Sequence, residues 1–180
     1  MFGPVLKGAK VVLRPPDASD PARFIAWLAD PEVTRYLGVR FPLSLLAEEE
    51  TIKRMGDDRN TVWWVVEAEG RAIGGTGIHQ IDWVDRNGTT GTVIGDKAAW
   101  RKGYGSEAML MRTEYAFRQL DLHKLKSSAF MENEPSKHAL AKAGYRQIGV
   151  QREDIWRDGK WHDHWLCEVL RSDWEREHPS

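Results

Sequence analysis

Short runs of apolar and β-branched residues alternate along the chain with stretches in which apolar residues recur at helical spacing. Seven runs have the length and composition of strands. They are Lys10–Arg14, Thr61–Ala68, Ala72–Gln80, Thr89–Asp96, His123–Phe130, Tyr145–Trp156 and Lys160–Leu170. The chain order is one strand, helices, three strands, a helix, a strand, a helix and two strands. This order predicts an α/β fold with a mixed, mostly antiparallel seven-stranded sheet flanked by helices.

Capping and turn residues indicate where several predicted elements begin and end. Asp20 precedes a proline, which is typical of an N-cap followed by the first helical position. Ser44 and Asn133 are predicted N-caps of two further helices, and Gly144 is predicted to end the second of these. The pair Asn87-Gly88 stands between two strand-like runs and predicts a hairpin turn.

A loop that contains glycines joins the fourth predicted strand to the helix that follows it. The strand ends at Gly95, and the helical pattern begins within Gly103-Tyr104-Gly105-Ser106. Glycine allows close backbone approach, and the unpaired amides and dipole of a helix N-terminus favour negative charge. The segment is therefore predicted to bind an anion, with a phosphate group as the leading candidate.

Two familiar phosphate motifs do not fit this loop. A P-loop has its lysine after the glycines, whereas Lys102 precedes Gly103. A dinucleotide-binding fingerprint needs a third glycine where Ala108 stands. A plain strand-to-helix turn that binds no ligand therefore remains the alternative.

Composition and charge exclude several classes of protein. The 180 residues fit one domain over residues 1–180, and 41% hydrophobic with 29% charged residues is ordinary for a globular protein. A net charge of −1 does not indicate binding to nucleic acid or to an anionic membrane. One cysteine and no span-length apolar stretch predict a cytoplasmic protein without disulfides.

The residues around the loop resemble a known family. VIGDKAAWRKGYGSEAM, then YAFRQLDLHKL, then NEPSKHALAKAGYRQIG occur in the order and at the separation found in the GNAT acyltransferase superfamily. The RimJ/RimL-like branch, which acetylates amino groups on proteins and small molecules, is the most similar. The resemblance implies a sheet that splays between its fourth and fifth strands and acetyl-CoA as the cosubstrate.

The resemblance also assigns the residues that bind the cosubstrate. Its diphosphate is expected on the loop and helix start, namely Arg101, Lys102, Gly103, Tyr104, Gly105 and Ser106. Its pantetheine arm is expected to pair with the strand edge at Val93, Ile94 and Gly95. Asn133 matches an asparagine that contacts the pantetheine region, a role compatible with that of an N-cap.

Two positions depart from the family pattern. Trp100 occupies the place where the loop usually begins with glutamine or arginine. Leu140 occupies the place where many relatives carry a tyrosine that protonates the departing thiolate. Ser136 matches a serine that RimL-like proteins place near the sulfur, so it is the predicted substitute donor. A purely structural role for Ser136 in capping the helix is the alternative.

The general base is the least determined catalytic group. His79 ends a predicted strand beside the cofactor strand, and imidazole titrates near neutral pH. A structural role for this histidine is the alternative. His162, Asp163 and His164 raise the question of a metal, but side chains alternate between the faces of a strand, so no metal site is predicted.

These features predict an N-acetyltransferase that acts on a primary amine, either a protein N-terminus or a small molecule. Direct attack is expected because the lone Cys167 has no paired histidine beside it. The alternative is an acyl-CoA-binding sensor or interaction module without turnover.

Aromatic residues supply the remaining expectations from the sequence. Trp27, Tyr36, Trp83 and Trp161 are candidates for an aromatic acceptor pocket. The Trp-rich C-terminal strands are a candidate edge for a homodimer.

Overall fold

The computed structural model describes residues 1–41 and 43–179. Its strands are β1 (Leu6–Lys7), β2 (Val12–Arg14), β3 (Val62–Ala68), β4 (Arg71–Asp82), β5 (Asn87–Ile94), β6 (Lys124–Phe130), β7 (Arg146–Arg157) and β8 (Lys160–Leu170). Its α-helices are α1 (Asp20–Leu28), α2 (Pro31–Thr34), α3 (Leu45–Asp57), α4 (Tyr104–Arg118), α5 (Glu134–Lys142) and α6 (Arg171–Glu177).

The strands form one sheet in the order β1-β2-β3-β4-β5-β6-β8-β7. Every neighbouring pair is antiparallel except β5 and β6, which are parallel. The mixed, mostly antiparallel α/β fold is thereby confirmed. The predicted count of seven strands is wrong by one, because the short β1 pairs with β2 at the sheet edge.

The two faces of the sheet carry separate apolar clusters. The larger cluster packs α4, α5 and α6 on one face and includes Trp64, Phe117 and Trp174. The smaller cluster lies on the other face, where Phe24 of α1 packs on Trp63 of β3. The sheet is therefore covered on both faces. A ligand can contact the backbone polar groups of the sheet at its edges and at the gap between β5 and β6.

The predicted splay lies between β5 and β6, which are the fourth and fifth strands of the seven that were predicted. Their pairing covers only Asn87 with Lys124, Gly88 with Leu125 and Thr89 with Lys126. Beyond these three pairs β5 continues to Ile94 without a partner on that side. A free strand edge thus opens within the sheet.

Three predicted capping residues have the expected roles in two helices, α3 and α5. The Ser44 hydroxyl accepts a hydrogen bond from the Ala47 amide, and the Asn133 side chain accepts one from the Ser136 amide. Gly144, with φ of +89°, follows α5 as expected. Asp20, in contrast, is the first residue of α1 and not its cap, because its buried carboxylate binds Arg14 at 2.8 Å.

One other sequence prediction was wrong, and one helix was not predicted. Asn87-Gly88 lies within β5, and the turn is formed by the preceding residues, where the Asp82 carboxylate accepts hydrogen bonds from the Val84 and Asp85 amides. The helix α6 was not predicted, since the predicted elements end at Leu170. Trp174 of α6 is buried against Phe117, so this helix is held by long-range packing.

We expect Leu125→Ala to lower the free energy of unfolding by about 2–5 kcal/mol, because it removes a fully buried side chain beside the splay. Leu46→Ala is the matched control, since Leu46 is 76% exposed and its loss is expected to change stability by less than about 0.5 kcal/mol. Urea denaturation of the two variants measures the difference. Equal effects would show that the packing around β6 has been misassigned.

Candidate active site

The loop before α4 presents a continuous run of backbone donors. Arg101 and Gly103 have φ angles of +62° and +85°, and Gly103 is the N-cap of α4. The first helical hydrogen bond runs from the Glu107 amide to the Gly103 carbonyl. Within residues 1–41 and 43–179, no group accepts a hydrogen bond from the amides of residues 101–106. Such a run of free amides at a helix start is suited to an anion.

The amide of Trp100 does not belong to this run, because it donates to the Lys97 carbonyl at 3.2 Å. The Trp100 indole has a different role: its Nε1 donates to the Ile94 carbonyl at 2.7 Å. The residue that departs from the family pattern therefore ties the loop to the end of β5.

Three basic side chains surround the loop. Arg101 and Lys102 belong to it, and both are exposed. The third is Lys10, whose Nζ lies 3.5 Å from the Lys102 carbonyl and 3.6 Å from the position that a Cβ on Gly103 would occupy. Sequence reasoning missed Lys10, because nothing local connects it to a loop more than ninety residues away.

The Tyr104 side chain is turned away from the run of amides. It is buried, and its hydroxyl donates to the Glu69 carboxylate at 2.7 Å. That hydrogen bond holds the pKa of Glu69 below its ordinary value. Tyr104 thus anchors the loop to the β3–β4 turn, and only its amide is available to a ligand.

The free edge of β5 offers a second set of backbone groups. The Gly95 amide donates to the Ile73 carbonyl of β4 at 2.9 Å. Hydrogen-bonded and non-hydrogen-bonded pairs alternate in an antiparallel ladder. Val93 therefore directs its amide and carbonyl toward β4, whereas Thr92 and Ile94 direct theirs toward the free edge.

This alternation distinguishes the predicted edge residues from one another by the direction of their backbone groups. Of Val93, Ile94 and Gly95, only Ile94 directs an unpaired amide outward, because the Val93 backbone and the Gly95 amide are used by β4. Gly95 is required for another reason: a Cβ there would lie 2.4 Å from the Trp27 ring. Thr92 is the edge residue that was missed, and period-two counting from Ile94 would have found it.

The start of α5 forms the other side of the gap. The Asn133 amide donates to the Phe130 carbonyl at 2.9 Å, so the helix begins directly after β6 ends. The Asn133 side-chain Oδ1 accepts from the Ser136 amide at 3.2 Å. The side chain of Ser136 is half-buried in this first turn, and Leu140 is 2% exposed in the main core.

His79 lies beside β5 on the sheet face that carries α1 and α3. Its Nε2 is 4.0 Å from the position of a Cβ on Gly91, across the strand pair. Burial lowers the pKa of His79, the Arg112 charge lowers it further, and Asp58 opposes the shift. The imidazole is therefore neutral at pH 7 and able to accept a proton.

The predicted aromatic pocket is not formed as expected. Tyr36 packs on Phe130 at 5.4 Å, but Trp27 packs on Phe24 at 5.1 Å in the smaller apolar cluster. Trp83 binds the Asn60 side chain, and Trp161 packs on Trp156. Only Tyr36 of the four lines the cavity described next.

A cavity of about 210 Å³ lies between the end of α2 and the β7–β8 hairpin. Its lining includes Tyr36, Phe130, Glu132 and Arg157. Arg157 donates to the carbonyls of Thr34, at 2.6 Å, and of Val39, at 3.1 Å, and so holds the wall of the cavity together.

His162, Asp163 and His164, the three residues of β8 that raised the question of a metal, each contact a different partner. His162 Nδ1 lies 3.0 Å from Glu132, and His164 Nδ1 lies 3.1 Å from Asp154. The Asp163 carboxylate accepts from the Glu153 amide at 2.8 Å. In the part of the chain that the structure describes, no three histidine, cysteine or acidic side chains converge as metal ligands.

A comparison with protein-family profiles identifies the family to which this chain belongs. The profile of the acetyltransferase (GNAT) domain matches residues 10–146, which includes the loop, both sides of the splay and His79. The chain belongs to the GNAT acetyltransferase family. It is accordingly an acyl-CoA-dependent N-acyltransferase with acetyl-CoA as its cosubstrate.

Individual relatives of this GNAT protein are distant. It is 27% identical over 165 residues to the uncharacterized N-acetyltransferase YoaA of Bacillus subtilis, covering 89% of this chain and 93% of that one. It is 31% identical over 85 residues to the ribosomal protein uS5-alanine N-acetyltransferase of Escherichia coli, covering 47% and 43%.

A solved structure with a similar fold is the spermidine N-acetyltransferase from Vibrio cholerae in complex with CoA and spermine. Its TM-score is 0.86 at 20% identity, with 93% of this chain and 99% of that chain covered. The likeness confirms the fold. No helix within the described ranges is long and apolar enough to cross a membrane.

The residues present fit CoA. The free amides of residues 101–106 match a diphosphate. The outward-facing backbone of Thr92 and the outward-facing amide of Ile94 match an extended, amide-containing arm, whereas the Ile94 carbonyl is already bound by the Trp100 indole. The two sets adjoin each other, because Ile94 Cγ1 lies 3.4 Å from the position of a Cβ on Gly105.

We expect Gly105→Val to weaken CoA binding by about tenfold or more, because the new side chain projects from the first turn of α4 beside the free amides. Gly105 has no left-handed backbone, so the substitution causes no backbone strain. Gly149→Val is the matched control, since Gly149 has open space around it in β7. Calorimetry with CoA measures both. Unchanged affinity in Gly105→Val would show that the loop does not hold the diphosphate.

Proposed function

We propose that this GNAT protein transfers the acetyl group of acetyl-CoA to a primary amine by direct attack. The observation that carries the proposal is the adjacency of two outward-facing backbone sets, the amides of residues 101–106 and the free edge of β5. His79 of β4, a neutral imidazole, lies across the strand pair from Gly91 of β5. Diphosphate binding, arm binding and proton acceptance are the three tasks that the reaction needs.

Each end of the cosubstrate has its own group of residues in this proposal. Gly103, Tyr104, Gly105 and Ser106 contribute amides to the diphosphate, and Arg101 and Lys102 contribute amides and charge. Lys10 adds a further positive charge from the β1–β2 turn. Asn133 caps α5 through its side-chain Oδ1, and we assign its side-chain NH₂ group to the arm.

The chemistry requires one proton acceptor and one proton donor. The uncharged amine nitrogen forms a bond to the acetyl carbon, the carbon–sulfur bond breaks, and its electron pair leaves on the CoA sulfur. We assign His79 to accept the amine proton, directly or through a water molecule, because its imidazole is neutral at pH 7. We assign Ser136 as the donor to the sulfur, since Leu140 carries no ionisable group.

A covalent enzyme intermediate on cysteine is disfavoured. Cys167 is 1% exposed, and burial raises the pKa of its thiol to about 12. Thiolate is the nucleophilic form, and almost none is present near neutral pH. Direct attack by the amine is therefore the route that the chain supports.

We infer that the acceptor is a protein N-terminus or a small amine such as a polyamine. The E. coli relative is named for acetylating an alanine of a ribosomal protein, and the V. cholerae structure is named for spermidine. The cavity at Tyr36, Phe130 and Glu132 combines aromatic rings with a carboxylate, but Arg35, Arg157 and Lys160 also line it, so its charge does not select between these acceptors. The RimJ/RimL-like branch, a cytoplasmic location and a homodimer stay predictions.

One observation favours a second candidate function, an acyl-CoA-binding module without turnover. Leu140 is buried and apolar at the position where many relatives carry the thiolate-protonating tyrosine. Such a module would bind CoA through the same loop and edge. Turnover distinguishes the two functions.

Incubation with acetyl-CoA and a panel of amines, with free thiol followed over time, tests the proposal. The panel contains peptides with free N-termini, polyamines, amino acids and aminoglycosides. We expect thiol release with at least one amine well above hydrolysis. Tight CoA binding without release for any amine would favour the module.

The pH profile tests His79. Its pKa is lowered by burial and by Arg112, so the neutral base persists below the ordinary histidine value of about 6.5. We expect kcat/KM to fall only below about pH 6.5, as His79 gains a proton.

In His79→Gln that acidic limb is expected to disappear together with most of the activity. His138→Gln, at an exposed position of α5, is the control and keeps the limb. An unchanged limb in His79→Gln would assign the base to another group.

A further inference from the structure

Arg112 of α4 is a buried cation without an anionic partner. It is 1% exposed, and its Nε has no hydrogen-bond partner among the described residues. No carboxylate within residues 1–41 and 43–179 forms an ion pair with it. Burial of an uncompensated charge is costly, and an apolar side chain of similar volume is often better tolerated. The hydrogen bonds that the guanidinium donates therefore explain why an arginine is buried at this position.

The guanidinium holds the open edge of β5. Its Nη1 donates to the Gly91 carbonyl at 3.1 Å, to the Thr92 hydroxyl at 2.8 Å and to the Thr76 hydroxyl at 3.0 Å. The hydroxyls of Thr76 and Thr92 lie 2.8 Å from each other, so the strand pair is bound twice at this point. Thr92 is the residue whose backbone faces the free edge.

The same cation reaches the point where β5 leaves β6. Its Nη2 lies 3.3 Å from the Tyr145 hydroxyl, which in turn lies 3.2 Å from the Thr90 hydroxyl. Thr90 donates to the Lys126 carbonyl of β6, and Ser127 donates to the Thr90 carbonyl, both at 3.1 Å. Side-chain hydrogen bonds thus replace the backbone ladder where the strands diverge.

We infer that Arg112 is a positioning residue for acetyl transfer, which fixes the Thr92 backbone at the free edge of β5 in the orientation that pairs with the cosubstrate's arm. The inference rests on the proposed function, since it assigns that arm to this edge. Arg112 lies on the α4 face of the sheet and acts through Thr92 and Gly91 without touching the substrate itself.

A planar guanidinium suits this task better than an ammonium group. It presents several donors in a fixed fork, whereas a lysine is a flexible point charge. One fork here serves two strands and the tyrosine that follows α5. Arg112→Lys would keep the charge and lose the simultaneous contacts.

The test compares two ligands, CoA and 3′-phospho-ADP, which is CoA without its pantetheine arm. We expect Arg112→Met to weaken CoA binding by about tenfold and to change 3′-phospho-ADP binding by less than about twofold. The expected kcat falls by about tenfold or more as well. Calorimetry and thiol release measure these quantities.

Two substitutions of Thr76, which lies on β4, change the structure less than a substitution of Arg112. Thr76→Val removes one acceptor of the fork, and we expect a loss of CoA affinity of about threefold. Thr76→Ser keeps the hydroxyl, and we expect it to restore the affinity. Arg112→Lys and this pair carry the test if Arg112→Met does not fold.

Equal loss of affinity for both ligands would overturn the inference, because it would indicate a general loss of structure. Wild-type CoA affinity and kcat in Arg112→Met, or in Arg112→Lys, would also overturn it. A wild-type protein that binds CoA and acetylates no amine would contradict the proposed function instead, and the comparison of the two ligands would still report on Arg112.

Discussion

The divergence of β5 from β6 is the constraint on which the rest of the site depends. Antiparallel pairing holds β5 to β4 as far as Ile94, but parallel pairing with β6 ends at Thr89. A strand edge that opens inside a sheet leaves backbone donors and acceptors without partners. Hydroxyls of Thr90 and Ser127 satisfy the groups nearest the divergence. The groups farther along are the ones that we assign to the cosubstrate's arm.

The loop before α4 is bound to this strand edge and, like the edge, has backbone amides without hydrogen-bond partners in the part of the chain that the structure describes. The Trp100 indole joins it to the Ile94 carbonyl, and Tyr104 joins it to Glu69 in the β3–β4 turn. Both side chains immobilise the loop without using the amides of residues 101–106. Preorganised donors lose little entropy when a ligand binds, so rigidity and unsatisfied hydrogen bonding act together. Arg112 extends the same principle to the strand edge.

Local sequence signals predicted those features of the fold that depend on neighbouring residues, namely the helix caps. Ser44, Asn133 and Gly144 have the expected capping roles, because caps depend on a few neighbouring residues. Asn87-Gly88 resembled a turn but was drawn into β5, where tertiary pairing outweighs local preference. Lys10 and Arg112 could not be predicted, since each acts on residues from a distant part of the chain. Asp20 could not be predicted as an ion-pair partner for the same reason.

Backbone amide NMR during a CoA titration follows the amides of the loop and of β5 one by one, and these amides are the groups that we assign to the cosubstrate. We predict that the largest shift changes and the greatest gain in protection from hydrogen exchange occur at residues 101–106 and at Thr92 and Ile94. The amides of Val93 and Gly95, which face β4, are expected to change much less. Saturation by CoA with residues 101–106 unperturbed, or with Val93 perturbed in place of its two neighbours, would contradict this assignment.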